Sequence, residues 1–293
     1  MRPYDDCSFY SDEELKIHAR ENGYIYMKNF LDAESNLKMK KNILKYCEDY
    51  GCVVPDTEKY KKGTQVDTVK GGVGPEEYFK KILTDEDFYF YCKNEKIKNL
   101  IETIEDEEMF LLPNHIVRTI PPISYLTTQP HQDYWYWGST KRGWTFWIPL
   151  GDIPMEKGVL VVSPGSHLKG PVPESLRKYD AEAGMLGFTP DEDTEFIGND
   201  LNAGDLIAFQ CQTFHKVTEN TTDDIRLSID IRFQPSSDPV NKYTLYPHTR
   251  ILEWKDIYKN FKNYDEKYYW QDMNLQIGEF DVYNLLKTAT SFK

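Results

Sequence analysis

The residues best equipped for chemistry are His131 and Asp133, in the run Gln129-Pro130-His131-Gln132-Asp133, and His215, in Phe214-His215-Lys216. The first two stand two positions apart at what reads as a strand end, where residues i and i+2 share a face and can reach one ion. The third follows a second β-rich run, 204–211. Two imidazoles and a carboxylate on one face of an octahedron leave three positions open, which suits an iron(II) centre that must seat a bidentate oxoacid and O2. Alone, the His-x-Asp pair is a weak signal. A hydrogen-bonded core pair gives the same pattern, and three protein ligands plus water also describe catalytic zinc.

Arg226 changes the balance. It follows His215 by eleven residues, and Ser228 lies two further along the same strand face. A guanidinium fork beside a hydroxyl suits the distal carboxylate of a dicarboxylic oxoacid, a need that a zinc hydrolase does not have.

Tyr134, Trp135, Tyr136 and Trp137 follow the metal motif directly. Strand alternation would turn Trp135 and Trp137 to the face of His131 and Asp133, as walls for a substrate, unless a turn beginning at Asp133 breaks the phase. His115, on a neighbouring strand, reads either as a core histidine or as a contact to oxoacid or substrate. Arg118, Arg142 and Arg232 are ordinary surface charges by default. Any that face the pocket imply a carboxylate-bearing substrate. His167 is expected to brace its Pro-Gly-Ser-His turn, and His18 and His248 to lie on the surface.

These residues must be positioned by a mainly β scaffold. The runs 109–120, 125–132, 143–150, 158–164, 204–211 and 226–233 are short, apolar and bounded by Gly, Pro or Asp, the texture of a sandwich, barrel or jelly roll. Helices are expected before them: one over 11–21 opened by a Ser11/Glu14 capping box, and one from Asp32 to about Tyr50 with Leu37, Met39, Ile43 and Leu44 on its apolar face. Two more are expected near 75–84 and 94–106. The reading is one domain over 1–293. Residues 1–108 form its helical N-terminal region, 109–235 its core with an irregular insert at 171–200, and 236–293 a helical tail, helical above all over 250–261. The polar, Lys- and Gly-rich stretch 51–75 reads as a loop, either a connector or a lid over substrate.

A net charge of −13 argues against nucleic-acid binding and against an anionic membrane surface. The five cysteines form no C-x-x-C pair and read as free thiols of a reducing compartment. With neither a secretory h-region nor a membrane-length apolar run, the expected setting is the cytoplasm, as a monomer or weak homo-oligomer acting on a small molecule.

The run from His131 to Gln234 resembles the phytanoyl-CoA dioxygenase family of iron(II)/2-oxoglutarate oxygenases. It does so through QPHQD at 129–133, GVLVVSPGSHLKG at 158–170 and GDLIAFQCQTFHKVTENTTDDIRLSIDIRFQ at 204–234, and more weakly through 22–35. The resemblance implies a double-stranded β-helix, or jelly roll, flanked by helices. It also implies iron ligation by His131, Asp133 and His215, oxoglutarate binding by Arg226 and Ser228, and a further oxoglutarate contact at Trp147. Similar halogenating enzymes replace the carboxylate ligand with a small residue, so the retained Asp133 points away from halogenation. Hydroxylation of an unactivated carbon, with 2-oxoglutarate and O2 consumed, is the implied outcome, and desaturation or radical cyclisation the alternative.

Overall fold

The computed structural model describes residues 1–56, 59–62, 68–69, 72–73, 76–122, 128–180, 185–264 and 267–280. Helix α1 (Asp12–Asn22) starts at the capping box expected from sequence, with the Ser11 side chain accepting from the Glu14 amide and Glu14 answering the Ser11 amide. It stops at Gly23, whose φ of 70° permits the left-handed turn into β1 (Tyr24–Met27). Helix α2 (Ala33–Asp49) is capped by Asp32 and buries Met39, Ile43 and Leu44. Leu37, expected on that apolar face, is instead 49% exposed. Helices α3 (Glu76–Leu83), α4 (Glu86–Cys92) and α5 (Glu95–Glu105) complete the helical region.

Strands β2 (Met109–Leu111), β3 (Ile116–Ile120), β4 (Thr128–His131), β5 (Trp144–Pro149), β6 (Leu160–Val162), β7 (Arg177–Asp180), β8 (Met185–Phe188), β9 (Leu206–Gln210), β10 (His215–Val217) and β11 (Arg226–Pro235) follow. The larger sheet runs β1-β9-β5-β11-β2, with β3 also on β11, and the smaller runs β6-β10-β4. The pairings in both are antiparallel, as a jelly roll requires.

Alternation along β11 and β5 organises the interior. Leu227, Ile229, Ile231 and Phe233 of β11, with Phe146 and Ile148 of β5, join Ile43, Phe79, Ile97 and Ile101 of the helices in the largest apolar cluster. The intervening Arg226, Ser228, Asp230 and Arg232, with Thr145 and Trp147, occupy the opposite face, between the sheets. All ten residues of β11 are buried, since each of its faces is covered.

Behind the metal motif, Trp137 is 0% exposed and packs with Leu112, Cys211, Val240 and Trp254. The backbone at Gly143 lies so close that a Cβ there would stand 1.3 Å from Cζ3 of Trp137. Gly143→Ala is therefore expected to lose about 1–3 kcal/mol or more of stability by overpacking, read as a lower denaturant midpoint with unchanged slope.

The insert 171–200 is more ordered than its composition suggests, since β7 and β8 pair as a hairpin. The tail is less helical than expected, with one four-residue α-helix, α7 (Trp254–Ile257), and several 3-10 turns among the described residues. Where the backbone of 51–75 is described it forms two short ladders, Val53–Asp56 with Lys59–Lys62 and Thr68–Val69 with Gly72–Val73. The rest of that stretch, on which the lid expectation falls, lies outside the described residues. The five cysteines are free and buried. Among the described residues no helix is long and apolar enough to cross a membrane.

Candidate functional site: an iron centre with an oxoacid pocket

His131 and His215 are direct cross-strand partners on β4 and β10, with ring centroids 4.0 Å apart. The Nδ1–H of His131 donates to the Gln129 carbonyl at 2.8 Å, and that of His215 to the Thr213 carbonyl at 3.0 Å. A carbonyl only accepts, so these bonds fix the tautomer and leave each Nε2 lone pair for a metal. Asp133 Oδ1 stands 3.7 Å and 3.8 Å from the two Nε2 atoms. One ligand atom from each of the three residues lies within 4.8 Å of the others, and all three side chains are buried.

Asp133 reaches this point differently from the sequence expectation. Strand β4 ends at His131, and Asp133, with φ −67° and ψ −22°, opens a helical turn, α6 (Tyr134–Trp137). That turn breaks the two-residue alternation, so the four aromatics sort by helical phase. Trp137 goes into the core and is no substrate wall. Tyr136, which alternation had turned away, stands edge-on to His131 with ring centroids 6.3 Å apart, and accepts the Leu186 amide on its hydroxyl. Trp135 lies against Arg177 of the hairpin.

The second carboxylate oxygen of Asp133 is held by Thr145, which sequence reasoning missed, and by Arg232, to which it gave another role. Thr145 and Arg232 are register partners across β5 and β11. The Thr145 hydroxyl donates to Oδ2 at 2.6 Å, and Arg232 Nη2 donates at 3.3 Å. Burial raises the Asp133 pKa, but Arg232, the two imidazoles and Thr145 outweigh it and hold it well below the ordinary carboxylate range. The group is an anion as a ligand requires, and its free oxygen is turned to the metal position. Gln132 pins the motif from below. Its amide donates to the Gly170 and Gln212 carbonyls and its oxygen accepts the Val172 amide.

Arg226 is 1% exposed. Its Nη1 donates to Ser228 Oγ at 3.3 Å, its Nε has no hydrogen-bond partner among the described residues, and its guanidinium lies 5.7 Å from the Trp147 ring centroid. Trp147 Nε1 is likewise buried without a partner there. Burial, then the like charge of Arg118, pushes the Arg226 pKa down, with Asp230 only partly opposing. A buried cation in this condition is costly unless an anion joins it. Among the described residues the pocket face carries the guanidiniums of Arg118, Arg226 and Arg232 against the carboxylates of Asp133 and Asp230. A divalent cation would enlarge that positive excess, and a dianionic oxoacid would offset it. The donor set and the charge both fit iron(II) with 2-oxoglutarate.

The remaining candidates sort by their partners. Arg232, expected as a substrate contact, binds Asp133 through Nη2, and its Nε is without a partner among the described residues. Arg118 pairs with Asp230 at 2.7 Å. Arg142 is half exposed and bound to Glu107 and Asp238, at the far end of the motif loop. His115 sits against Phe88 and Tyr89, in a cavity lined also by Leu111, Tyr258, Phe261 and Tyr269 that contains none of the three ligands. His167 does brace its turn, bonding the Arg20 carbonyl at 3.0 Å. His18 is buried, its ring edge on Tyr24. His248 is half-buried and feels the charges of Arg118 and Arg232, so neither is a simple surface residue.

Burial lowers the pKa of all six histidines, to about 3 for His115 and His248. His115 and His248 stay neutral in the folded chain well below pH 5, while the unfolded chain takes up protons at these positions below about pH 6.5. The unfolded state then binds more protons, so the metal-free protein loses stability as pH falls from about 6.5. His115 and His248 each contribute up to about 1.4 kcal/mol per pH unit, so melting temperatures should drop between pH 6.5 and 5. A flat profile there contradicts the assignment.

A family model described as "Phytanoyl-CoA dioxygenase (PhyH)" matches residues 19–228. The "1-deoxypentalenic acid 11-beta-hydroxylase" of Streptomyces arenae is 27% identical over 258 residues, covering 80% of this chain and 86% of that protein. Among solved structures, the epimerase SnoN from nogalamycin biosynthesis, in complex with Fe3+, alpha ketoglutarate and nogalamycin RO, aligns with TM-score 0.58 at 21% identity over 78% of this chain and 85% of its own. EvdO2 from Micromonospora carbonacea var. aurantiaca, complexed with 2-oxoglutarate, aligns with TM-score 0.55 at 18% identity over 78% and 93%. The matched span covers the three metal ligands, Arg226 and Ser228, and most of the β core that carries them. The chain belongs to the phytanoyl-CoA dioxygenase family and is an iron(II)- and 2-oxoglutarate-dependent oxygenase.

Proposed function

We propose that this oxygenase hydroxylates an unactivated C–H bond of a small, carboxylate-bearing metabolite of natural-product or amino-acid-derived kind. The observation that carries the co-substrate assignment is the buried, incompletely bonded Arg226 guanidinium on the strand that also sends Arg232 to Asp133. Hydroxylation and an acidic substrate are supported by the Streptomyces relative, whose name states both for that protein.

In this reading His131, Asp133 and His215 hold iron on one face, and Arg226, Ser228 and Trp147 receive the distal carboxylate of 2-oxoglutarate. When bound, iron with 2-oxoglutarate and O2 supplies an oxidant for C–H bonds, with succinate and CO2 as co-products. The chain's own role is placement and insulation. The two Nδ1 bonds keep the imidazoles in their ligating tautomer, Thr145 and Arg232 keep Asp133 ionised and turned, and the closed inner face of β11 excludes water. This reading places the organic substrate near Tyr136, which stands edge-on to His131 and is bonded to the β7–β8 hairpin.

Succinate release stimulated by fractions of a metabolite pool tests the reading, followed by the mass of the altered compound. Gain of one oxygen is the expected result. Loss of two hydrogens would assign desaturation or cyclisation in its place.

A further inference from the structure

The hairpin β7–β8 is seated on the metal motif at three points. The Tyr136 hydroxyl takes the Leu186 amide at 2.9 Å, the Phe188 ring packs on Phe214 with centroids 4.6 Å apart, and Gly187 passes so near β4 that a Cβ would lie 3.0 Å from Gln129 Cβ. In this seat Arg177 places its guanidinium 3.7 Å over the ring of Trp135, two residues beyond Asp133.

The Arg177 side chain is only 6% exposed, and its one ion-pair contact among the described residues, Glu174, is 3.9 Å away and itself 67% exposed. At that distance no hydrogen bond forms. Arg177 Nε and Trp135 Nε1 are both buried without an acceptor among the described residues. Two touching side chains thus hold buried N–H donors with no acceptor among the described residues, and Trp135 is next along the chain to Tyr136, which stands edge-on to His131. A cation desolvated to this extent requires an anionic or strongly accepting partner. Arg118, Arg142 and Arg232 each have a carboxylate within 3.3 Å, although Arg232 Nε is also without a partner among the described residues. Asp230 holds Arg118, Asp133 holds Arg232, and Glu107 with Asp238 hold Arg142.

We propose that Arg177, laid on Trp135, receives a carboxylate of the organic substrate and so sets the enzyme's specificity for acids. The proposal rests on the oxygenase reading above and names the substrate class of that same site. Arg177 Nε and Trp135 Nε1 supply two donors from adjacent planes, enough for one planar carboxylate and fewer than a phosphoryl group, with three oxygens, would need. Stacking on the indole holds the guanidinium in place before binding, which lowers the entropy cost of recognition. The carboxylate anchors one end of the substrate at the hairpin, and the carbon to be oxidised falls at the metal by the length of the molecule between them.

The test is calorimetry on the enzyme loaded with iron(II) and 2-oxoglutarate and kept free of oxygen. The probes are cyclohexanecarboxylate, benzoate and adamantane-1-carboxylate, each beside its carboxamide, with cyclohexyl phosphate as the second anion. At least one acid should bind ten times or more tightly than its amide and than the phosphate. Arg177→Gln should remove that preference, Arg177→Lys should keep some of it, and Trp135→Phe, which stacks but lacks the N–H, should weaken it. In turnover with a substrate found by succinate release, Arg177→Gln should raise KM tenfold or more while kcat changes little. Acids bound no better than amides, a phosphate bound best, or Arg177→Gln matching wild type would each overturn the proposal. The 2-oxoglutarate charge-transfer band, recorded on the same samples, reports on the oxygenase reading separately. Its absence from the wild type sinks that reading, and its presence in Arg177→Gln shows that only the substrate anchor is lost.

Discussion

Arg226→Met is expected to abolish 2-oxoglutarate binding at concentrations that saturate the wild type, while the metal-free protein melts at the same temperature or a few degrees higher. The two effects have one cause. The guanidinium is 1% exposed, its Nε is unbonded among the described residues, and Arg118 adds a like charge. Without a ligand the side chain bears a desolvation cost that a methionine of similar length does not, and such replacements are neutral to stabilising. With 2-oxoglutarate present the same guanidinium would gain a charge-assisted bond in a water-poor pocket. Losing one partner of a buried charge pair costs about 2–5 kcal/mol, or a 30- to several-thousand-fold rise in Kd. The informative comparison is the thermal shift produced by 2-oxoglutarate with iron(II), large in the wild type and absent in the variant. A structural role for Arg226 predicts the reverse, an unstable variant that still binds.

Asp133→Ala is the second large effect: loss of tight iron binding and of turnover by three orders of magnitude or more. The substitution removes a ligand atom, and it also releases Arg232 and Thr145 from Oδ2. Arg232, 8% exposed, would then be a buried cation without its anion, and the positive excess of the pocket would grow by one charge. The two imidazoles alone, with a cation newly unpaired beside them, bind a divalent ion poorly. Asp133→Glu separates ligation from charge. It restores the anion to Arg232 but carries the oxygen one methylene too far, so stability should recover and activity should not. Iron content after desalting, measured beside melting temperature, checks both.

How much of this was readable in the sequence follows from which contacts are local. Arg226 and Ser228 fall on one face because strand alternation has a period of two, and β11 keeps that alternation over ten residues. The Ser11/Glu14 cap and the buried face of α2 are likewise local patterns. The Asp133 turn was harder, because the four aromatics after it suit a strand as well as a helix and only tertiary packing decides. Trp137 is drawn into the core by Gly143 and Trp254, the latter far along the chain. Thr145 and Arg232 meet on Asp133 through the register of β5 against β11, and no single-strand pattern encodes register. The partners of Arg142 were hidden for the same reason, since Glu107 and Asp238 become its neighbours only when the sheet forms. Arg177 gave no signal in an insert that reads as irregular, and its interest arises only from the burial that the β7–β8 hairpin imposes.

The central claim is that His131, Asp133 and His215 hold iron(II) beside an oxoacid seat built on Arg226. The most direct measurement is an anaerobic titration of iron(II) and then 2-oxoglutarate, followed by visible absorption. The account predicts a weak charge-transfer band that saturates at one 2-oxoglutarate per iron, is lost in Asp133→Ala, and requires far higher 2-oxoglutarate in Arg226→Met. A protein that binds iron yet shows no band at any 2-oxoglutarate concentration, or an Arg226→Met titration that overlays the wild type, would contradict it.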